Sequence, residues 1–468
     1  MGYGMNMFYL YGAPASGKTT LGRELARRTG RPFVDLDGFI AEREGRAIAE
    51  MFKTEGEAYF RKAESAALRA VDMPGAVVAL GGGTLLDPAN RAFCEGRGAV
   101  VCLDAPDPAE LSRRIALGGA SRPLGDCAEE RAAHYASFPR RIAKTFSSGG
   151  SLVAVGSGFA RALAGSMPRV VDGNLAALHD LASGPETLAV IPSGEEHKTP
   201  ETVMRLWSAF ARGGLGRKDA VAAFGGGVTG DLAGFAAATW MRGMDWVNVP
   251  TTLLAMVDAS TGGKTGCDLP EGKNLAGAFH FPRLVLVDTD WLRTLAPETL
   301  RDGRAEMIKH EIISGAVREG ARGIPTAEEI AESLAVKISA VERDPFEKTG
   351  ERMKLNCGHT VAHAVETLSD YRISHGEAVA IGCTAEARLA ARLKLADAEW
   401  VRELAERFAF FGLPVELPEG IAWARMREVI MCDKKRSAGK VVFALPCGWG
   451  DVRLVSVDPM KELPDDED

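Results

Sequence analysis

The sequence lacks what a membrane, secreted or nucleic-acid-binding chain would show. Aromatic residues make up only 7% of it, and its longest apolar runs, such as residues 76–80 and 283–287, are of strand length. A bilayer span needs roughly 18 apolar residues in a row, so no membrane partner is expected. Positive charge is not in excess: 56 Lys and Arg stand against 63 Asp and Glu, a net charge of −7, which argues against a nucleic-acid partner. The 8 cysteines are scattered without paired spacing, which excludes a disulfide or zinc framework and reads as reduced thiols in a cytoplasmic protein. The first residues show no basic region, apolar stretch and small-residue cleavage site in succession, so no signal peptide is expected. What remains is a 468-residue chain, 46% hydrophobic and 25% charged, the balance of a globular protein of two or three domains.

The first apolar strand, Phe8-Tyr9-Leu10-Tyr11, runs into Gly12-Ala13-Pro14-Ala15-Ser16-Gly17-Lys18-Thr19, and residues 20–28 read as a helix. Strand, GxxxxGK[ST] loop and helix form a P-loop. Gly12 and Gly17 let backbone N–H groups close around phosphates. Lys18 reaches the β- and γ-phosphates of ATP, Thr19 ligates magnesium, and Thr20 opens the helix beside them. Further on come Asp35-Leu36-Asp37, Phe60-Arg61-Lys62-Ala63-Glu64, Gly81-Gly82-Gly83, Arg122-Pro123-Leu124 and Arg131 four residues before Tyr135. Singly these are weak, because an Asp at a strand end is often a cap and a helical Arg is often solvated. In this order after a P-loop they make the first 145 or so residues resemble shikimate kinase. The resemblance implies that Asp37 holds substrate hydroxyls and that Arg61 and Arg131 pair with the shikimate carboxylate. It places Gly82 in the substrate-side glycine turn and Arg122 on the transferring phosphoryl group. Arg122 and Arg131 are only nine positions apart, which implies a shortened lid, and no closing strand and helix are legible after Tyr135.

Ser147-Ser148-Gly149-Gly150 reads as a linker, and the pattern of residues 152–158 as the first strand of a new domain. The expected division is 1–147 for the kinase-like domain, 148–291 for a dinucleotide-binding α/β part and 292–468 for a mainly helical part. The alternative boundary lies near residue 166, with residues 152–163 closing the kinase. In the second part, Val221-Ala222-Ala223-Phe224 leads into Gly225-Gly226-Gly227-Val228-Thr229-Gly230-Asp231, the strand and glycine turn that receive a dinucleotide pyrophosphate, and residues 232–239 read as the following helix. Past Leu292 helices are expected over 301–313, 327–341, 351–368, 377–393 and 399–411. His359 and His363 are four apart on one helical face, His375 follows at the start of the next helix, and Glu306 shares a face with Lys309. One carboxylate with two or three imidazoles, and no cysteine pair, fits a catalytic divalent-metal site with open positions.

From about residue 152 to residue 445 the chain resembles 3-dehydroquinate synthase. The matching stretches include Gly194-Glu195-Glu196-His197-Lys198, the Gly225 turn, Met241-Arg242-Gly243, Gly262-Gly263-Lys264-Thr265-Gly266, Gly272-Lys273-Asn274, Ala305-Glu306-Met307-Ile308-Lys309, Ser374-His375-Gly376-Glu377 and Asp433-Lys434-Lys435. The resemblance implies NAD and a divalent metal, zinc or cobalt, and conversion of DAHP, an open-chain seven-carbon keto acid phosphate, to 3-dehydroquinate and phosphate. It implies that Glu306, His359 and His375 hold the metal. NAD contacts fall on Asp172, Glu195, Lys198, Gly226, Gly227, Asp231, Thr251 and Thr252, with Lys264 and Lys273 close by. Substrate contacts fall on Lys273, Asn274, Lys337, Arg352, Asn356 and Lys435, and catalytic roles on Asp258, Lys264, Lys309 and His363. Arg242 would reach the phosphate of a neighbouring subunit's substrate, which implies a homodimer through the synthase half. The leaving phosphate itself is implied in proton removal, so no protein base is assigned. A substrate with a carboxylate and a phosphate needs several cations, and these lysines and arginines supply them locally.

Two other readings share these motifs. One is a metal-dependent polyol dehydrogenase fused to a small-molecule kinase; an uncharged polyol would not need the lysine set around residues 262–274. The other is a synthase with a non-catalytic nucleotide-binding module, against which Asp37, Arg61 and Arg131 are all present.

Overall fold

The computed structural model describes residues 6–106, 113, 131–431, 436–437 and 440–464; Arg122 and Lys435 lie outside the described residues. The strands in chain order are β1 Met7–Tyr11, β2 Phe33–Asp35, β3 Val77–Ala79, β4 Gly98–Leu103, β5 Arg141–Ser148, β6 Ser151–Ser157, β7 Arg169–Asp172, β8 Thr187–Ile191, β9 Ala220–Gly225 and β10 Asp245–Pro250. They continue with β11 Lys264–Leu269, β12 Gly272–Phe279, β13 Leu284–Asp288, β14 Arg436–Ser437, β15 Lys440–Gly448 and β16 Asp451–Val457. Eleven of them form one sheet, in the order β2-β3-β1-β4-β5-β6-β13-β10-β9-β7-β8. β1, β9 and β13 are buried along their whole length, as strands of a sheet covered on both faces are.

The single sheet corrects the reading of Ser147–Gly150 as a linker. Strand β5 closes the kinase sheet, pairing in parallel with β4 at Cys102↔Arg141 and Leu103↔Ile142. It then turns back onto β6, with Ser148 opposite Ser151. Gly149 (φ +56°) and Gly150 (φ +88°) form a two-residue hairpin turn in which both residues are left-handed, a geometry that favours glycine. β6 in turn pairs in parallel with β13, from Leu152↔Leu284 to Gly156↔Asp288. A Ser-Gly pair between apolar runs is equally compatible with a tether and a tight turn, and the pairing partners on both sides decide it.

The core follows the sheet. One apolar cluster joins Phe8 and Leu10 of β1 and Leu21 and Leu25 of the P-loop helix to Val153 and Val155 of β6, Val285 and Val287 of β13, and Ile330, Leu334 and Ile338 of the Ala327–Arg343 helix. That helix begins with a capping box: the Thr326 hydroxyl accepts from Glu329 N at 3.1 Å, and the Glu329 carboxylate accepts from Thr326 N at 2.7 Å. Two arginines past the P-loop clasp the junction from the other side. Arg28 donates to Gly150 O at 2.9 Å and to Arg283 O. Arg31, 7% exposed, donates to Gly75 O, Ala162 O, Leu163 O and Asn6 O.

The C-terminal part is a helical layer, as expected, with two differences. The expected helix over 351–368 is a 3-10 turn, Glu351–Asn356, followed by a separate helix, His359–Leu368. The break is at Gly358 (φ +75°), where an added Cβ would lie 2.4 Å from Cys383 Sγ, so the chain must change direction to pass the neighbouring helix. The layer also contains an antiparallel sheet, β14-β15-β16, which helical periodicity did not reveal because β15 is mostly buried and shows no alternation of apolar and polar residues. Among the described residues no helix is long and apolar enough to cross a membrane.

Candidate active sites

The P-loop connects β1 to the Lys18–Thr29 helix. Gly12 has φ +133° and an added Cβ would lie 2.4 Å from Leu103 O, so only glycine brings the loop this close to β4. Gly17, at φ +97°, precedes the helix. The Lys18 ammonium folds onto its own loop, donating to Gly12 O at 3.0 Å and Ala13 O at 2.7 Å. Thr19 and Thr20 lie in the first helical turn. Among the described residues the buried Ser16 hydroxyl has no hydrogen-bond partner inside the loop, as a residue that waits for a phosphate oxygen would be.

The substrate-side residues of this half converge on the glycine turn after β3. An added Cβ at Gly81 would lie 3.1 Å from Asp37 Oδ1, and one at Gly83 would lie 2.6 Å from Arg61 Nη2. Arg61 is held by Glu64 at 2.7 Å and Glu57 at 3.0 Å. Glu64, 1% exposed, also accepts from the Thr84 hydroxyl at 2.6 Å. Gly82 O accepts from the Tyr11 and Tyr135 hydroxyls, at 3.1 and 2.8 Å, which docks the Ala132–Ala136 helix and the Arg131 before it on the turn.

In the second half three elements meet at Glu306, which is fully buried on the Pro297–Ser314 helix. Gly376 permits the close crossing of that helix by the His375–Arg392 helix, since an added Cβ would lie 2.2 Å from Asp302 Cα. Glu306 Oε1 lies 3.5 Å from His359 Nε2 and 3.3 Å from His375 Nε2, and one ligand atom from each of the three falls within 4.8 Å of the others. The far ring nitrogens are also engaged: His359 Nδ1 with Cys357 O at 3.0 Å, and His375 Nδ1 with Glu366 Oε1 at 3.3 Å. Such outer contacts fix ring orientation at metal sites. Burial opposes a charge on His375, but the two carboxylates outweigh it and carry its pKa to about 10. His363 stands beside the triad, its ring centroid 5.5 Å from that of His359. A carboxylate and two imidazoles facing one point, each turned by an outer partner, fit a divalent metal such as zinc or cobalt.

Glu306 is also ion-paired with Lys309, which is 1% exposed. Lys309 lies 3.9 Å from Asp258 Oδ1, and Lys337 donates to the same oxygen at 2.7 Å. Burial raises the Asp258 pKa, but the ammoniums of Lys337 and Lys309 outweigh it and hold the carboxyl well below its usual range. His310 Nε2 is buried and unpartnered 4.0 Å away, and burial pushes that imidazole down to about 3, so it stays neutral. Arg352 donates to Gly262 O at 3.1 Å and Pro345 O at 3.0 Å, next to the turn that presents Lys264 to Glu347.

A second group lines the hairpin of β11 and β12. Lys198 donates to Asn274 Oδ1 at 2.7 Å and pairs with Asp231 at 2.8 Å, while Lys273 lies 3.6 Å from Glu195 and over the Tyr371 ring. Asp231 is on the Gly227–Thr239 helix that follows the glycine turn. Gly226 faces Thr252, and Thr251 N donates to Gly225 O at 3.0 Å. Among the described residues the buried hydroxyls of Thr229, Ser260 and Thr261 have no hydrogen-bond partners. A turn of small residues at a helix N-terminus, bordered by orphaned hydroxyls, fits a dinucleotide pyrophosphate. Asp172, by contrast, caps the Gly173–His179 helix, accepting from Asn174 N at 3.0 Å and the Ser193 hydroxyl at 2.7 Å. Asn356 ends the 3-10 turn before Gly358. Arg242 is exposed and left-handed (φ +68°) and takes no part in these contacts.

Sequence reasoning missed Glu366, Glu347 and His310. Glu366 had a signal: it lies one turn beyond His363 and two beyond His359 on the same helix. Glu347 and His310 had none: Glu347 meets Lys264 from a distant strand as well as the nearby Arg352, and the partners of His310 come from other elements.

These features define a class: a P-loop phosphotransferase unit in one sheet with a glycine-turn α/β unit, backed by a helical layer that holds a carboxylate–imidazole triad. Comparison with known proteins agrees. Residues 188–302 match the family model described as 3-dehydroquinate synthase N-terminal, residues 303–436 the model 3-dehydroquinate synthase C-terminal, and residues 14–145 the model Shikimate kinase. The 3-dehydroquinate synthase of Synechococcus sp. is 45% identical over 291 residues, 58% of this chain and 78% of its own length. That of Xanthomonas campestris pv. campestris is 46% identical over 283 residues, 57% of this chain and 76% of its own. Among solved structures, a 2-deoxy-scyllo-inosose synthase complexed with carbaglucose-6-phosphate, NAD+ and Co2+ superposes with a TM-score of 0.59 at 26% identity, covering 67% of this chain and 96% of that one. A 2-epi-5-epi-valiolone synthase from Streptomyces hygroscopicus, with NAD+ and Zn2+ bound, gives 0.59 at 27% identity, covering 67% and 95%. The chain belongs to the 3-dehydroquinate synthase family. With its shikimate kinase domain it is a fusion enzyme of the shikimate pathway, a lyase and a phosphotransferase in one chain.

Proposed function

We propose that the synthase half converts DAHP to 3-dehydroquinate and phosphate with NAD and a divalent metal held by Glu306, His359 and His375, and that the kinase half phosphorylates shikimate with ATP and magnesium. The observation that carries the synthase reading is the charge arrangement around Glu306. Three carboxylates, Glu306, Asp258 and Glu366, face Lys309, Lys337 and the protonated His375, so the bare cluster is balanced. A divalent cation that displaces the His375 proton leaves the site positive, which suits a substrate with two anionic ends and not a neutral polyol.

When bound, the metal supplies Lewis-acid polarisation of a substrate hydroxyl and NAD a reversible hydride acceptor. The chain's residues do the rest. Lys337 and Lys309, held by Asp258, fix the position of an anionic substrate group beside the triad. Arg352 and Lys264, tied through Glu347, add cations from the other wall. His363, facing the same space, is placed to donate or accept a hydrogen bond at a substrate oxygen. Lys198, Asp231 and Glu195 line the NAD side, with Lys273 and Asn274 between the two. In the kinase half Lys18, Asp37 and Arg61 orient ATP and shikimate, and the convergence of Asp37 and Arg61 on Gly81–Gly83 favours a catalytic domain over a regulatory module. Arg122 and Lys435 keep their roles as expectations, as does the trimmed lid.

Arg242 supports a homodimer: exposed and left-handed, it is free to reach a second copy's substrate phosphate. Six described cysteines are buried and unpaired, in keeping with a cytoplasmic location. The domain division proposed is 1–147, 148–291 and 292–468, as functional parts of one continuous sheet and helical layer.

The test is purified protein with DAHP, zinc and NAD well below the substrate concentration. Phosphate release should continue through many turnovers per NAD, because hydride removed in one step returns in a later one. NADH accumulating in proportion to product would instead establish the polyol dehydrogenase. In the same preparation, ATP, magnesium and shikimate should yield ADP; no ADP would make the N-terminal half a binding module.

A further inference from the structure

The hairpin turn that joins the two halves also touches the synthase site. Gly149 lies against the ring of Phe281: an added Cβ would sit 2.2 Å from Phe281 Cε1 and 2.4 Å from Cδ1. Gly263 meets the Cγ end of the same ring, where an added Cβ would sit 3.0 Å from Cδ2 and Cγ. Gly263, at φ +69°, precedes Lys264, and its carbonyl accepts from His280 N, next to Phe281, at 2.7 Å. The same ring meets Phe346 edge to face at 6.2 Å, and Phe346 precedes Glu347, the partner of both Lys264 and Arg352. One side chain thus touches two glycine backbones, in the kinase–synthase turn and in the turn before Lys264, and the ring of Phe346 in the loop before Glu347.

We infer that Phe281, seated on Gly149, is a positioning residue for DAHP, setting the turn that presents Lys264 and the loop that presents Glu347, so that the join between the two enzymes is part of the synthase's substrate-binding apparatus. This rests on the synthase reading above and on Lys264 as a substrate cation. The physical reason is close packing. An aromatic ring packed against two glycine backbones cannot move toward either without displacing it, and an ångström of error in a binding group is enough to weaken substrate capture strongly. Gly150, next in the turn, provides the contrast: it is equally left-handed, but an added Cβ there meets nothing within 4 Å.

The experiment compares Gly149→Ala, Gly150→Ala and Phe281→Ala in the full chain. Both glycine substitutions impose a left-handed alanine, so turn strain is common to them. Only Gly149→Ala must displace the ring, by about an ångström. The expected result is a KM for DAHP raised about tenfold in Gly149→Ala and in Phe281→Ala, with kcat, bound metal and kinase activity within twofold of wild type. Gly150→Ala should match wild type in KM. An unchanged KM in Phe281→Ala overturns the inference whether or not Gly149→Ala folds. An equal rise in Gly150→Ala also overturns it, because strain in the turn then suffices. Wild type that turns over DAHP while all variants keep its KM sinks this inference alone; a wild type that releases no phosphate sinks it together with the functional reading.

Discussion

Arg31→Met should destabilise both halves together. Arg31 follows the P-loop helix and is 7% exposed, with its guanidinium spread over carbonyls from both sides of the junction. It donates to Gly75 O at 2.6 Å, Ala162 O at 3.0 Å and Leu163 O at 3.2 Å, and to Asn6 O. Hydrogen bonds from a charged donor contribute roughly 1.5 kcal/mol each at the low end, so the four together come to about 6 kcal/mol. Against this stands the burial of the charge, which pushes the Arg31 pKa from 12.5 down to about 10, equivalent to roughly 3 kcal/mol. The net loss in the methionine variant is therefore about 3 kcal/mol. A cation whose folded pKa is lowered bears its penalty in full below that pKa and sheds it only as pH rises past about 10, so the loss should be the same at pH 6 and pH 8. The assay is urea unfolding followed in parallel by shikimate phosphorylation and phosphate release from DAHP. Both midpoints should fall together, by about 1 M for a slope of roughly 3 kcal/mol/M. Arg27→Ala, which removes an exposed pair with Glu24, is the control and should leave both midpoints in place. A loss under about 1 kcal/mol, or a kinase midpoint that falls while the synthase midpoint stays, would refute the shared sheet and core as one cooperative unit.

Catalysis, unlike folding, should separate cleanly: Lys18→Ala should abolish shikimate phosphorylation and leave DAHP turnover nearly intact, and His359→Ala the reverse, with paired assays of each variant deciding it. A folded Lys18 variant that also lost synthase activity would show the sites to be coupled. Metal analysis of purified variants should find Glu306→Gln and His359→Ala depleted of metal and His363→Ala loaded but at least tenfold slower, since His363 stands beside the triad and not in it; full metal in His359→Ala would overturn the ligand set.

The P-loop and the Gly225 turn are legible in the amino-acid order because each is local. A GxxxxGKT loop between an apolar strand and a helix states its geometry in its own spacing, whereas Glu306, His359 and His375 come from three separate helices and only the family resemblance groups them in the sequence. The long helices are legible for the same reason, through the 3.6-residue period of their apolar faces. The helix expected over 351–368 is not continuous, because its break at Gly358 is imposed by a neighbour: Cys383 leaves no room for a continuing side chain there. β15 escapes notice because a mostly buried strand and a buried helical segment read alike.

The sequence by itself determined which two enzyme families the chain joins and in what order. Only the tertiary structure decided how they are joined. Ser147–Gly150 reads as a tether until β4 and β13 are seen on either side of its hairpin; then it is the centre of an eleven-stranded sheet. The same holds for Glu347 against Lys264 and for Phe281 against Gly149. Backbone pairing and close packing are contacts between residues far apart in the chain. Local spacing carries no trace of a partner dozens of positions away, so these contacts exist only once the sheet has closed.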